Sequence, residues 1–169
     1  MKIEITIRLL KAILGARRNQ SCRVLDTVLK NGEIMWEVNQ TQWRWVLSEA
    51  LASLPFSNET SVDYIRLPIY IKCPNVQLYE RKFRDKTGER QTELFESFPG
   101  GSRITVPVFV LSSLDADSPS GTGLRPPTTE EVLAIFEEAG ENIGISPWGS
   151  KFGYGRFNIA HTNDDASKS

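Results

Sequence analysis

Ile143-Gly144-Ile145-Ser146-Pro147-Trp148-Gly149-Ser150-Lys151-Phe152-Gly153-Tyr154-Gly155-Arg156-Phe157 sets four glycines and a proline among aromatic residues and two cations. Glycine admits positive φ, and it lets another backbone approach where a Cβ would block it. Surface loops are ordinarily filled with Ser, Asn and Asp. This mixture of rings, Lys and Arg between glycines is what a phosphate backbone and stacked bases require. It equally suits a glycine-kinked connection whose aromatic side chains fold back into the core. Composition leaves both readings open.

The residues before this stretch predict a helix. Thr128 and Glu131 are spaced as a capping box, Val132, Leu133, Ile135, Phe136 and Ala139 form the buried stripe, and Gly140 suits the position just past the end. Glu130, Glu137 and Glu138 make its outer face acidic, so a polyanion must bind elsewhere. Residues 154–160 then read as a closing strand and 162–169 as a frayed polar tail.

At the other end, Ile3, Ile5, Ile7 and Leu9 alternate with Lys2, Glu4, Thr6 and Arg8, the pattern of a half-buried strand. That alternation is unlike the apolar run of a signal peptide. Gly15 to Gln20 forms a basic loop containing Arg17 and Arg18. Asn31-Gly32 joins two β-prone runs, 23–30 and 33–38, and signals a hairpin through a turn that needs positive φ twice. Asn39 opens a helix with Gln42 in the capping-box position and Val38 placed to staple onto Trp43. Its stripe is Trp43, Val46, Leu47, Ala50, Leu51 and Leu54, ended by Pro55, with Trp45 off the stripe.

Residues 62–73 read as one strand in which Pro68 implies an edge or a bulge. Runs 76–83 and 91–98 predict a second, long hairpin. From Arg81 to Arg90, five cations (Arg81, Lys82, Arg84, Lys86, Arg90) face two anions (Asp85, Glu89). A solvated hairpin tip accounts for this; a basic finger on a phosphate backbone is the functional alternative. After Pro99-Gly100-Gly101, residues 103–112 make a strand with Ile104, Val106, Val108 and Val110 on one face, and 112–127 read as a surface loop.

The totals set limits. The 169 residues fit one domain, spanning 1–161, and the formal charge of −1 makes any nucleic-acid site a local patch. Cys22 and Cys73 occur without CxxC or a His cluster, which argues against a zinc site or disulfide framework and for a reducing, cytoplasmic setting. No uninterrupted apolar segment reaches membrane-spanning length. Asp115 and Asp117 lack neighbouring metal ligands. Neither a metal nor a cofactor is expected.

With the hairpins at about 22–38 and 76–98 taken as insertions, the remaining order is strand, helix, strand, strand, helix, strand. Two singly striped helices then cover one face of an antiparallel sheet, an α+β, ferredoxin-like βαββαβ fold. A helix, a glycine-rich loop and a last strand closing such a domain resemble the repeat-associated RNA-binding (RAMP) proteins of CRISPR systems. Ile143-Gly144-Ile145 stands for the first half of their signature, Gly153-Tyr154-Gly155 for the second, and Lys151 for the intervening cation. Ser146 stands where a second glycine is usual, and the intervening stretch is one residue longer. The close likeness covers only these residues.

The resemblance implies single-stranded RNA binding, alone or within a ribonucleoprotein. Gly144, Gly153 and Gly155 would admit the sugar-phosphate chain, Lys151 and Arg156 would neutralise it, and Phe152, Tyr154 or Trp148 would stack on bases. Arg17, Arg18, Arg81, Lys82, Arg84 and Lys86 would extend the track. The expected action is non-catalytic. His161 is the single histidine, whereas cleavage at a ribose 2′-OH needs both a base and a stabiliser of the phosphorane. No Walker loop, HExxH or GxSxG motif occurs. The alternatives are a phage or mobile-element interaction factor docking or self-associating through Trp36, Trp43 and Trp45, and an RNase using His161.

Overall fold

A computed structural model describes residues 1–14, 25–73, 75–112, 123–145 and 153–164. The order is β1 (Lys2–Leu9), β2 (Ile13–Leu14), β3 (Leu25–Lys30), β4 (Glu33–Val38), α1 (Gln40–Ala52), a 3-10 turn (Val62–Tyr64), β5 (Ile65–Arg66), β6 (Tyr70–Lys72), β7 (Gln77–Arg84), β8 (Arg90–Phe98), β9 (Arg103–Val110), α2 (Thr129–Glu138), a π-helical turn (Ala139–Ile143) and β10 (Phe157–Asp164). The fold class is α+β. Arg17, Arg18, Trp148, Lys151, Phe152, Asp115, Asp117, the side chain of Arg81 and residues 165–169 lie outside the described residues.

The principal sheet has the order β10-β1-β9-β5, with every neighbouring pair antiparallel. Strict alternation on β1 and β9 buries Ile3, Ile5, Ile7 and Leu9 beside Ile104, Val106, Val108 and Val110. Burying each such side chain contributes roughly 1.5–3 kcal/mol. Trp43, Val46, Leu47, Ala50 and Leu51 of α1 and Val132, Ile135 and Phe136 of α2 complete this core, so both helices cover the same sheet face. Pro107 is tolerated within β9 because β5 pairs only with Phe109 and Val110; among the described residues no strand adds to that side earlier in β9, where a missing N–H is harmless.

The helices start where local chemistry dictates. Asn39 accepts a hydrogen bond from the Gln42 amide at 2.9 Å, and Thr128 and Glu131 form the reciprocal capping box. Their ends depart from expectation. The first helix stops at Ala52, three residues before Pro55, with the Ser53 hydroxyl donating to the Ala50 carbonyl at 2.8 Å. Gly140 is not the terminating residue. It lies inside the π-turn, where an added Cβ would sit 2.3 Å from the Phe157 carbonyl oxygen, and Gly144, at φ 81°, ends the helix instead.

Two smaller sheets attach to this body, β2-β8-β7 and β3-β4-β6. Asn31 and Gly32 take φ 50° and 80° between β3 and β4, as the Asn-Gly signal requires. The single strand expected over 62–73 is instead a 3-10 turn and two short strands. Pro68 interrupts the ladder, and the Val38 amide donates to the Ile69 carbonyl at 2.8 Å, drawing β6 to β4 while β5 stays with β9. An aromatic cluster joins the sheets: Trp36 meets Phe98 edge-on at 5.4 Å and Trp43 at 6.3 Å, and Trp43 meets Phe136 and Phe157 at 5.8 and 6.2 Å.

The segment before α2 is latched. Arg125 pairs with Glu131 at 2.6 Å and Glu59 at 3.0 Å, and Thr60 donates to the Arg125 carbonyl at 2.7 Å. Hydrogen bonding from Arg125 holds the Glu131 carboxyl below its ordinary pKa, against an opposing effect of burial. The same bonds with Glu131, then Glu59, raise the Arg125 pKa.

Candidate nucleic-acid interface

The described ends of the glycine-rich stretch meet the chain just beyond β1. The Leu10 amide donates to the Arg156 carbonyl at 2.8 Å, the Gly155 amide to the Ala12 carbonyl at 2.9 Å, and the Ile145 amide to the Gly155 carbonyl at 3.1 Å. Gly144 and Gly155 are both buried, and a Cβ at Gly144 would lie 2.8 Å from the Tyr154 carbonyl oxygen. At Gly144 the close approach that glycine permits is therefore made by the chain's own backbone. It holds 144–145 against 154–156.

Gly153 differs. It is half-buried at φ 73°, and a Cβ there would stand 3.7 Å from Arg156 Cδ and 3.9 Å from Lys11 Cδ. Two cationic side chains thus flank one side-chain-free backbone position. Lys11 Nζ lies 4.2 Å from the centre of the Tyr154 ring, a cation–π contact that fixes the ring at the edge of the core. Arg156 Nη2 donates to the Asn142 carbonyl at 3.3 Å, while its buried Nε has no hydrogen-bond partner among the described residues. Sequence reading named Gly153, Tyr154 and Arg156 but missed Lys11. Its only local signal is a position just after β1; its place here depends on the distant Leu10–Arg156 hydrogen bond.

The basic hairpin tip is a separate place. Lys82, Arg84, Lys86 and Arg90 are exposed, with Lys82 near Glu80 at 3.7 Å and Arg84 directly across from Arg90. Asp85 organises the turn. Its carboxylate accepts from the Thr87 hydroxyl at 2.6 Å, the Gln91 amide at 3.1 Å and the Thr87 and Glu89 backbone amides at 2.9 and 3.0 Å, which lowers its pKa to about 2, the Thr87 side chain contributing most. That anion is committed to the turn, and the surrounding cations point outward.

His161 lies within β10, not at a frayed end: β10 runs from Phe157 to Asp164, because β1 supplies partners as far as Ile3, opposite Asp164. The closing strand begins three residues later than expected because Gly153 to Arg156 form a tight turn, with the Arg156 amide donating to the Gly153 carbonyl at 3.3 Å. His161 is exposed and paired in register with Thr6. A cleft of about 180 Å³ between α1 and β5 is lined by Gln40, Arg44, Leu47 and Ile65, and Arg44 pairs with Asp63 beside it; no nucleophile–base pair faces it among these residues. Among the described residues no group of three or more His, Cys, Asp or Glu side chains is placed to hold a metal ion. No helix among them is long and apolar enough to cross a membrane.

No protein-family model matches the chain, and no curated protein matches it.

Proposed function

We propose that this protein is a ferredoxin-like, single-stranded RNA-binding protein, resembling a small RAMP subunit, that acts by binding or assembly and not by catalysis. The fold part of this reading is supported by the principal sheet. Its four strands, β1, β5, β9 and β10 in chain order, lie as fourth, first, third, second, all antiparallel under two helices. The two smaller sheets then contain the inserted hairpins. The binding part rests on one observation: Lys11 and Arg156 converge on the side-chain-free backbone of Gly153, next to Tyr154, at the root of the glycine-rich loop. Phosphate oxygens suit such a cationic notch, and the loop residues Lys151 and Phe152 directly precede Gly153 in sequence.

The test is nitrocellulose filter binding of single-stranded RNA at about 50 mM salt. Lys11→Glu with Arg156→Glu is expected to abolish retention while leaving the circular-dichroism spectrum unchanged. Undiminished retention by that folded variant refutes the loop-end site. A second reading, a phage or mobile-element interaction factor, is favoured by one residue. Trp45 is 48% exposed on α1, whereas Trp36 and Trp43 are buried and cannot dock.

A further inference from the structure

The alternation that buries one side of β1 presents Lys2, Glu4, Thr6 and Arg8 on the sheet face opposite the helices. Register places Arg103 directly opposite Arg8, Thr105 opposite Thr6, and Phe109 opposite Lys2, with His161 on the other side of Thr6. Arg8, Arg103, Thr105, Phe109 and His161 are all exposed, so no described element covers this face. Lys2 and Glu4 pair with each other at 3.0 Å. Arg8 and Arg103 have no ion-pair partner among the described residues.

Two arginines in directly opposed positions of an antiparallel pair have Cβ atoms about 4.5–5.5 Å apart, and like charges so placed destabilise the sheet. A phosphate between them turns that repulsion into charge-assisted, bidentate hydrogen bonding, the geometry guanidinium groups favour. The next row offers the Thr6 and Thr105 hydroxyls, 2.9 Å apart, and beyond it Phe109, 39% exposed, presents a ring. The arginine row also adjoins the loop-end notch: Lys11 follows Arg8 by three residues, and the Leu10 amide is bonded to the Arg156 carbonyl. The acidic outer face of α2 is carried by a helix that covers the sheet's other side.

We propose that the open face of the principal sheet is a binding surface for single-stranded RNA, with backbone phosphate seated between Arg8 and Arg103 and a base on Phe109. This deepens the RNA-binding reading and rests on it. Charge complementarity selects a polyanion. The ring at the far end of the row selects an unpaired strand with accessible bases over a duplex.

The experiment is fluorescence anisotropy with a labelled oligouridine of roughly 12 nucleotides, within the span one such domain covers, at salt from about 50 to 200 mM. Arg8→Gln/Arg103→Gln removes the one phosphate contact the two arginines share, so the slope of log K against log salt shrinks by about 0.7. About 2.6-fold of the affinity gained on lowering the salt across that range is then lost. Its melting temperature stays level or rises, because the opposed charges are gone; a purely structural role for the arginines predicts a fall. Arg8→Lys/Arg103→Lys keeps the wild-type slope. If wild type binds and the folded Gln variant keeps its affinity and slope, the sheet face is not the path, although RNA binding stands. If wild type does not bind, both readings fail. If the Gln variant loses binding to polyglutamate and not to oligouridine, the face takes an acidic polypeptide and the proposal is overturned. If the Gln variant unfolds, the Lys variant decides: loss of its salt slope overturns the proposal and retention supports it.

Discussion

Gly140→Ala should destabilise the fold even though it replaces glycine within a helical segment. The new Cβ would stand 2.3 Å from the Phe157 carbonyl oxygen and 2.7 Å from its ring Cδ2. The oxygen belongs to the first residue of β10, which pairs with Leu9, and the ring is fully buried against Trp43, so neither can move alone. Overpacking of this kind costs about 1–3 kcal/mol. A backbone obstacle puts the cost at the upper end, and the usual gain of about 0.5–1 kcal/mol for removing a helical glycine offsets part of it. The net is a loss of about 2 kcal/mol, or a urea midpoint lowered by about 1 M for a slope near 2 kcal/mol/M. Gly100→Ala is the control, since its Cβ would meet nothing nearer than 3.4 Å. A midpoint for Gly140→Ala equal to or above wild type refutes the reasoning that this glycine exists to let the π-turn lie against β10.

Thr128→Ala removes the reciprocal cap of α2 and should cost about 1 kcal/mol, seen as a melting temperature lower by about 3 °C. The Glu131 carboxyl has its pKa lowered on folding, so its contribution is complete above its ordinary pKa of 4.5 and disappears as pH falls through the depressed value. Wild-type stability should therefore decline below about pH 4.5, and Glu131→Gln should show a shallower decline in urea titrations repeated across pH. Trp43→Ala, at 2% exposure, should cost about 3–5 kcal/mol by denaturant titration, whereas Trp45→Ser should stay within about 0.5 kcal/mol.

The elements legible in the sequence are those fixed by their own residues. Alternation on β1 and β9, the Asn31-Gly32 turn, the Asn39 cap and the Thr128–Glu131 box each rest on chemistry within a few residues. Where a distant partner decides, the sequence falls short. Pro68 marks an interruption, but sending β5 to β9 and β6 to β4 depends on pairing across the chain. The two residues of β2 are a strand only because Phe98 and Ser97 lie opposite them. Gly140 and Gly144 are equally good helix ends by local rules; the nearness of Phe157 assigns them different roles. The candidate site divides the same way. Glycines in the loop were visible as glycines, yet which of them face the chain's own backbone, and that Lys11 joins Arg156, follow from the β1–β10 junction. Arg8 and Arg103 were each readable as outward-facing, whereas their opposition is a matter of register.

The proposed function requires a chain with a net charge of −1 to hold a polyanion through local cationic geometry. Equilibrium binding of the wild-type protein to single-stranded RNA, titrated with salt from about 50 mM upward, tests it most directly. The expected result is saturable binding that weakens linearly in log–log form as salt rises, with the RNA recovered intact. No binding of any single-stranded RNA at the lowest salt, or affinity independent of salt, contradicts it.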